Sequence, residues 1–187
     1  MTANGWTVFA TAIGHCGIGW NGHGIASVQL PERSAAATAA RLARRLPGSG
    51  RSTPPPQVEQ AMAAIVALLE GARPDMRHIR LDLDQSPDFN RSVYVIARGI
   101  EPGSTRTYGE IASELGDRAL ARDVGKALGQ NPCPLIVPCH RVLAAGGKAG
   151  GFSAPGGTAT KLRLLAIEGV RLDDGPTLFD FAAAGRQ

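Results

Sequence analysis

The sequence predicts a mixed α/β (α+β) chain in three parts. Residues 1–85 read as an N-terminal domain with a small antiparallel sheet and helices, 86–172 as a mostly helical C-terminal domain holding a winged-helix-like helix-turn-helix, and 173–187 as a loose tail. Three observations predict this. Short β-rich runs flank the pair Asn21-Gly22, a two-residue hairpin signal whose central positions need positive φ. Apolar residues then recur at helical spacing between proline and glycine stops. Further on, two short helical segments meet at Gly116 with a capping residue before each.

In chain order, Thr7–Ile13 and Cys16–Trp20 read as strands, and Ile25–Leu30 returns as a third. Ser34–Leu46 is rich in Ala, Leu and Arg, all good helix formers, with Leu42 and Leu46 on one face, and Pro47 stops it. Gly48–Pro56 reads as a loop that no regular element crosses. Gln57–Leu69 sets Val58, Met62, Ile65 and Leu69 on one helical face, and Gly71 closes it. Ile79–Asp84 alternates apolar and charged residues, as a half-exposed strand does.

The second half opens with Ser86 as an N-cap and Pro87 at the first helical position, with Phe89, Val93 and Ile96 sharing a face. Glu101–Ser104 is a turn. Thr107 and Glu110 form a capping box for a short helix carrying Ile111 and Leu115, which stops at Gly116. Asp117 caps the next helix, which runs to about Leu128 and ends at Gly129. Arg118, Arg122 and Lys126 recur every four residues on it, an electrostatic stripe suited to a phosphate backbone. Val142–Ala145 can form a strand turned by Gly146-Gly147. Gly150–Gly157 reads as a mobile glycine-rich loop, and Thr158–Glu168 as a last helix with Leu162, Leu165 and Ala166 inward.

A chain of 187 residues can bury one good core or two small ones packed together. The net charge of +4, almost all from arginine, permits a nucleic-acid partner without requiring one. No run is long enough to span a membrane, and the first residues lack a signal-peptide pattern. Three cysteines, an odd number, argue against a disulfide framework and for a reducing compartment, so a cytoplasmic location is expected; a monomer is expected as well. His15, Cys16 and His23 do not have the spacing of a closed four-ligand site, and no metal is expected.

The stretch that carries chemistry is Asn131–Val142. Its apolar run, Leu135-Ile136-Val137, lies between Pro134 and Pro138, which stiffen the backbone and exclude a helix. Burial of that run delivers Cys139 to the floor of a pocket, beside His140 and Arg141. A thiol there is either an inert buried cysteine or an activated nucleophile, and a nearby base or positive group decides which. Cys133 reads as a small core residue.

Pro138-Cys139-His140-Arg141, preceded by Asn131-Pro132, resembles the active-site signature of the O6-alkylguanine-DNA alkyltransferases, the methylated-DNA–protein-cysteine methyltransferases, and the resemblance runs from about Phe89 to Gly169. It implies that Cys139 attacks the alkyl carbon on O6 of a damaged guanine and that His140 draws off the thiol proton through a water. Glu168, in Leu164-Leu165-Ala166-Ile167-Glu168-Gly169, would hold His140, and Asn131 would buttress the loop. By the same resemblance, Ala121-Arg122-Asp123-Val124-Gly125 lies in a recognition helix that enters the minor groove. Arg122 would fill the gap left by an extruded nucleotide, while small Ala121 and Gly125 permit close approach.

Tyr108 would stand beside the flipped nucleotide, since a thiol cannot reach O6 inside a stacked duplex. Phe152, where the family usually has tyrosine, and Ser153 would belong to a lid that is about two residues longer here through Ser153–Gly157. Backbone groups of Cys139 and Val142 would read the guanine edge, and Arg141 is grouped with the base-contacting residues. Asn90 and Tyr94 replace the glutamine and tryptophan of many members. The implied partner is double-stranded DNA carrying O6-alkylguanine, with O4-methylthymine as a second lesion. The implied reaction is irreversible and single-turnover, and it needs no cofactor because the substrate supplies the alkyl group.

Three other readings compete. A non-catalytic lesion-binding module of the alkyltransferase-like kind has another residue in place of the cysteine, whereas Cys139 is present. A cysteine hydrolase built on Cys139 and His140 leaves the helix-turn-helix unexplained. A plain transcription regulator leaves Cys139, His140 and Glu168 unexplained.

Overall fold

Residues 4–172 are described by a computed structural model, so the expected tail over 173–187 lies outside the described residues. The N-terminal half begins as a meander of β1 (Gly5–Thr11), β2 (Gly14–Asn21) and β3 (Gly24–Gln29). β1 and β2 pair antiparallel from Gly5 opposite Trp20 to Thr11 opposite Gly14, and β2 pairs antiparallel with β3. The first turn falls earlier than the strand expected through Ile13, because the Thr11 hydroxyl donates to the Gly14 carbonyl at 2.6 Å and closes the hairpin there.

Helix α1 (Ala35–Arg45) is capped by Ser34, whose hydroxyl accepts from the Ala37 amide at 3.1 Å, and it buries Thr38 and Leu42. The expected featureless loop after it contains a two-residue strand, β4 (Gly50–Arg51), parallel to Gly5-Trp6, so the sheet order is β3-β2-β1-β4. The pairing is held by partners distant in sequence. Trp6 Nε1 donates to the Ser49 carbonyl at 3.2 Å, and the Ser52 amide donates to the Trp6 carbonyl at 3.0 Å. Helix α2 (Pro56–Leu69) has proline in its first turn and buries Val58, Ala61, Ile65, Leu68 and Leu69.

The strand expected over Ile79–Asp84 shrinks to one bridge, Leu81 with Ile25. Arg98 explains this. Its Nη2 donates to the carbonyls of Met76, Arg77 and Ile79 at 2.8–2.9 Å and bends the segment into a turn. Gly24 makes room for the bridge. Its φ is +145°, and a Cβ there would sit 2.6 Å from the Arg80 carbonyl oxygen.

In the second half, α3 (Asp88–Arg98) has Pro87 as its N-cap residue, one position later than the Ser86 cap expected, and buries Asn90, Val93, Tyr94 and Ala97. The Thr107 capping box forms as expected. The Glu110 amide donates to the Thr107 hydroxyl at 3.2 Å, and the Thr107 amide donates to Glu110 Oε2 at 2.6 Å. It links β5 (Arg106–Thr107) to α4 (Tyr108–Glu114). After the turn at Gly116 the expected single helix is divided. Asp117 caps a 3-10 turn over Arg118–Leu120, and α5 (Ala121–Gly129) follows. The expected stripe is therefore broken: Arg118 leans toward Gly109, and Lys126 pairs with Asp123 at 2.9 Å. Tyr94 anchors α5 to α3 by donating to the Ala127 carbonyl at 2.9 Å.

Strand β6 (Val142–Leu143) pairs parallel with β5, and α6 (Gly157–Ile167) follows. Helix α6 is rotated from the expectation: it buries Lys161, Leu164 and Leu165, while Leu162 and Ala166 are only partly covered. Among the described residues no helix is long and apolar enough to cross a membrane.

Both halves feed one contiguous buried cluster, including Ile18 and Ile65 from the first half and Tyr94, Leu135 and Leu164 from the second. The Val28 amide in β3 donates to the Pro132 carbonyl at 2.8 Å, and the Cys133 thiol lies 3.7 Å from the Ile25 carbonyl oxygen. The edge of the N-terminal sheet is thereby docked against the stretch that carries Cys139.

Candidate active site

The Asn131–Val142 stretch is a buried loop whose backbone groups must find partners within the protein. Asn131 supplies two of them. Its Nδ2 donates to the Val137 carbonyl at 2.8 Å, and its Oδ1 accepts from the Cys133 amide at 2.9 Å, so one side chain clamps both ends of the apolar run. Leu135, inside the run, is held at φ +75°, a conformation costing on the order of 1 kcal/mol for a residue with a Cβ. Complete burial of its side chain offsets that cost. The loop then tightens into a 3-10 turn over Cys139–Arg141 that turns His140 and Arg141 inward.

Beneath the turn lies Glu168, the residue that ends α6. His140 Nε2 donates to its Oε1 at 2.8 Å, while Arg141 donates from Nε to Oε2 at 2.8 Å and from Nη2 to Oε1 at 2.9 Å. Arg141 also donates from Nη1 to the Ile100 carbonyl at 2.5 Å. A carboxylate at a helix C-terminus opposes the helix dipole, and these charge-assisted bonds compensate. Burial alone would raise the Glu168 carboxyl, but the bonds from His140 and Arg141 and their charge outweigh it and hold the group at about 2.

The ionised carboxylate selects the His140 tautomer that carries hydrogen on Nε2. Burial keeps His140 below its ordinary pKa despite the raising effect of Glu168, so the ring is neutral at pH 7. Its Nδ1 is then a lone-pair acceptor, and it is buried with no partner among the described residues.

Cys139 is 9% exposed, and burial raises its thiol. The Asn131 amide, the Lys161 ammonium and the backbone amides of Cys139 and His140 oppose the rise without reversing it. The resting sulfur is therefore a thiol, and reaction at neutral pH requires a base to remove its proton.

Lys161 is the residue that the sequence reading missed. It is fully buried on α6, donates to the Val142 carbonyl at 2.5 Å and lies 5.7 Å from the centre of the Tyr108 ring. Burial lowers its pKa to about 8, against the raising influence of Cys139. A signal existed: Lys161, Leu164, Leu165 and Glu168 share one helical face, so a lysine continued the stripe ending in the presumed partner of His140.

A pocket of about 510 Å³ lies over Cys139 and brings together Tyr108, Ala121, Arg122, Gly125, Phe152 and Ser153. Tyr108, first residue of α4, lies between α5 and the lid: a Cβ on Gly125 would contact its ring at 3.9 Å, and one on Gly150 at 3.3 Å. Ser153 ties the lid to the end of α5 by donating to the Gly129 carbonyl at 3.0 Å. Five of the expected residues lie elsewhere. Asn131, His140, Glu168, Arg141 and Val142 lie outside its lining, the last four of them buried. The expectation that Arg141 contacts a base is corrected, because its guanidinium is 3% exposed and fully engaged with Glu168 and Ile100. Val142 is likewise fully buried in β6; its amide closes the 3-10 turn on the Cys139 carbonyl, and its own carbonyl accepts from Lys161. Among the described residues no three metal-binding side chains cluster.

Comparisons with known proteins point to one family. Residues 88–170 match the family model described as the DNA-binding domain of 6-O-methylguanine DNA methyltransferase. The methylated-DNA–protein-cysteine methyltransferase of Methanothermobacter thermautotrophicus is 38% identical over 125 residues, 67% of this chain and 69% of that protein. The protein of the same name from Mycolicibacterium paratuberculosis is 46% identical over 102 residues, 54% of this chain and 60% of its own length. In structure, the chain is similar to the Mycobacterium tuberculosis O6-methylguanine methyltransferase, with TM-score 0.70 and 30% identity over 95% of this chain and 99% of that one. The M. tuberculosis OGT in complex with DNA gives TM-score 0.69 and 31% identity over 87% and 91% of the two chains.

Proposed function

The chain belongs to the methylated-DNA–protein-cysteine methyltransferase family, and on that footing we propose that Cys139 is the acceptor in a DNA repair reaction that removes alkyl groups from O6 of guanine. The observation that carries this assignment is the buried relay under Cys139: an ionised Glu168, a neutral His140 bonded to it through Nε2, and an open acceptor at Nδ1. In the reaction, a water passes the Cys139 proton to His140 Nδ1, and Glu168 stabilises the imidazolium that forms. The thiolate attacks the alkyl carbon, an S–C bond forms, and the C–O6 bond breaks with its electron pair passing to the guanine. The proton then returns to the guanine. A thioether is a poor leaving group, so each molecule reacts once.

The remaining roles follow from position. Lys161 stabilises the developing thiolate, and Asn131 and Arg141 are positioning residues for the loop and the carboxylate. Tyr108, Phe152 and Ser153 bound the space for an extruded base, while Arg122, on the exposed side of α5, enters the duplex with Ala121 and Gly125 beside it. The DNA-binding unit begins near residue 86, a division supported by the match to residues 88–170. We place the reaction in the cytoplasm, in keeping with three free cysteines.

The test is single-turnover transfer from a duplex oligonucleotide with a labelled O6-methyl group, beside Cys139→Ser. One label per molecule on Cys139, and none on the variant, is the expected result. Binding of the lesion with no transfer would instead make the chain a damage-recognition module, and repeated turnover would make it a hydrolase.

A further inference from the structure

A second groove of about 510 Å³ also reaches Cys139, past the C-terminal end of α5. It runs between the lid and the N-terminal half and is lined by Ala26 of β3, Arg41 and Arg45 of α1, Asn131, Cys139 and Phe152. The two cavities meet at Cys139 beneath the same lid residues, Phe152 and Ser153.

Displacement at carbon is in-line: sulfur, the alkyl carbon and O6 fall on one axis. Any further atoms of the substituent must leave that carbon sideways. With the base in the pocket under Tyr108 and Arg122, the space open to them at Cys139 is the second groove. Its chemistry is specific. Among the described residues, Arg41 and Arg45 are the only charged side chains that line it. Arg41 Nε lies 3.2 Å from Glu32 Oε1, but its N–H is not aimed at that oxygen, and Arg45 forms no ion pair among the described residues. Ser27, 3% exposed, lines the same groove, and its hydroxyl has no partner among the described residues. Two guanidinium groups and an unpaired hydroxyl make a site for an oxyanion.

We propose that this groove receives the distal part of long O6 substituents and favours those ending in a carboxylate. The inference rests on the reading of Cys139 as the alkyl acceptor and names a substrate class for it. A neutral chain of the same length gains only the contact with the groove walls, whereas a carboxylate also gains the two arginines.

The experiment is single-turnover transfer from duplexes carrying O6-methyl-, O6-alkyl- and O6-(carboxyalkyl)guanine, with the last two matched over a series of chain lengths. At the length that reaches the arginines, the carboxylate is expected to react about tenfold faster than its neutral match. The double variant Arg41→Gln/Arg45→Gln should erase that preference and leave the methyl rate within about twofold. Ala26→Phe, which fills the groove, should slow every long substituent and spare methyl. Equal rates for charged and neutral chains would overturn the proposal. So would an equal loss for all substrates in the double variant, which would mean that the arginines hold DNA phosphates. If wild type moves methyl to Cys139 but no long chain, only this inference falls. If methyl itself is not transferred, the assignment of Cys139 falls with it.

Discussion

At the scale of single residues, the proposed mechanism gives Glu168 and Lys161 separate shares in making a thiolate from a buried thiol. In that mechanism Glu168 acts through His140, so Glu168→Gln should lower the single-turnover rate by about 10²–10³-fold, within the range for a lost general base. The pH profile separates this from simple misfolding. In wild type the acid limb lies below the ordinary histidine pKa, because burial lowers His140. Since Glu168 raises His140, its neutralisation should move the limb lower still. Lys161 acts by charge, and its pKa of about 8 sets where that charge is lost. Lys161→Met keeps the buried stem and should cost about tenfold in rate at pH 7, with the two proteins converging above pH 8 as wild type also loses the charge. Cys139 and His140 stood out by residue type and order, and Glu168 through the resemblance to the alkyltransferases. Lys161 was not, because a lysine on a helix is ordinarily solvated and only the rotation of α6 turns this one inward.

At the scale of elements, the segment from Thr107 to Gly129 shows where local signals suffice and where they fail. The Thr107 capping box was readable because both of its bonds lie within four residues. The break at Arg118–Leu120 was not, because composition does not separate a 3-10 turn from the first turn of an α-helix. It leaves Arg122 near the start of α5, on the pocket that also holds Tyr108 and Cys139. If Arg122 serves only to extrude the nucleotide, Arg122→Ala should slow transfer from duplex DNA by about tenfold and leave transfer from free O6-benzylguanine unchanged. A comparable loss on the free base would place Arg122 in the chemistry instead. β4 was invisible for a different reason: its two residues pair with β1 across more than forty positions, and their composition favours a loop.

At the scale of the molecule, the buried relay makes stability depend on pH with a definite sign. Glu168 is held at about 2, below its unfolded value near 4.3, so its contribution is complete above that value and is lost as pH falls toward 2. The full contribution is on the order of 3 kcal/mol. His140, lowered by burial, adds to the loss in acid because unfolding lets the ring take a proton below its ordinary pKa. Lys161, also lowered, works at the other end: stability rises as pH climbs from about 8 toward its ordinary value. Urea midpoints measured from pH 7 down to 2 should therefore fall more steeply for wild type than for Glu168→Gln between pH 4 and 2, and equal slopes would contradict the burial of the relay. Sequence alone determined most of the helices and the first three strands, which follow from local periodicity and stop residues, and it singled out the Asn131–Val142 stretch by residue type, order and family resemblance. Tertiary structure decided the rest. It turned Arg141 from a base contact into a support for Glu168, brought Lys161 onto the Val142 carbonyl, and opened a groove between Cys139 and two arginines about a hundred positions away in the chain. Those features depend on how α6 and the N-terminal sheet pack around one loop, and packing between distant segments leaves no periodicity for a sequence to display.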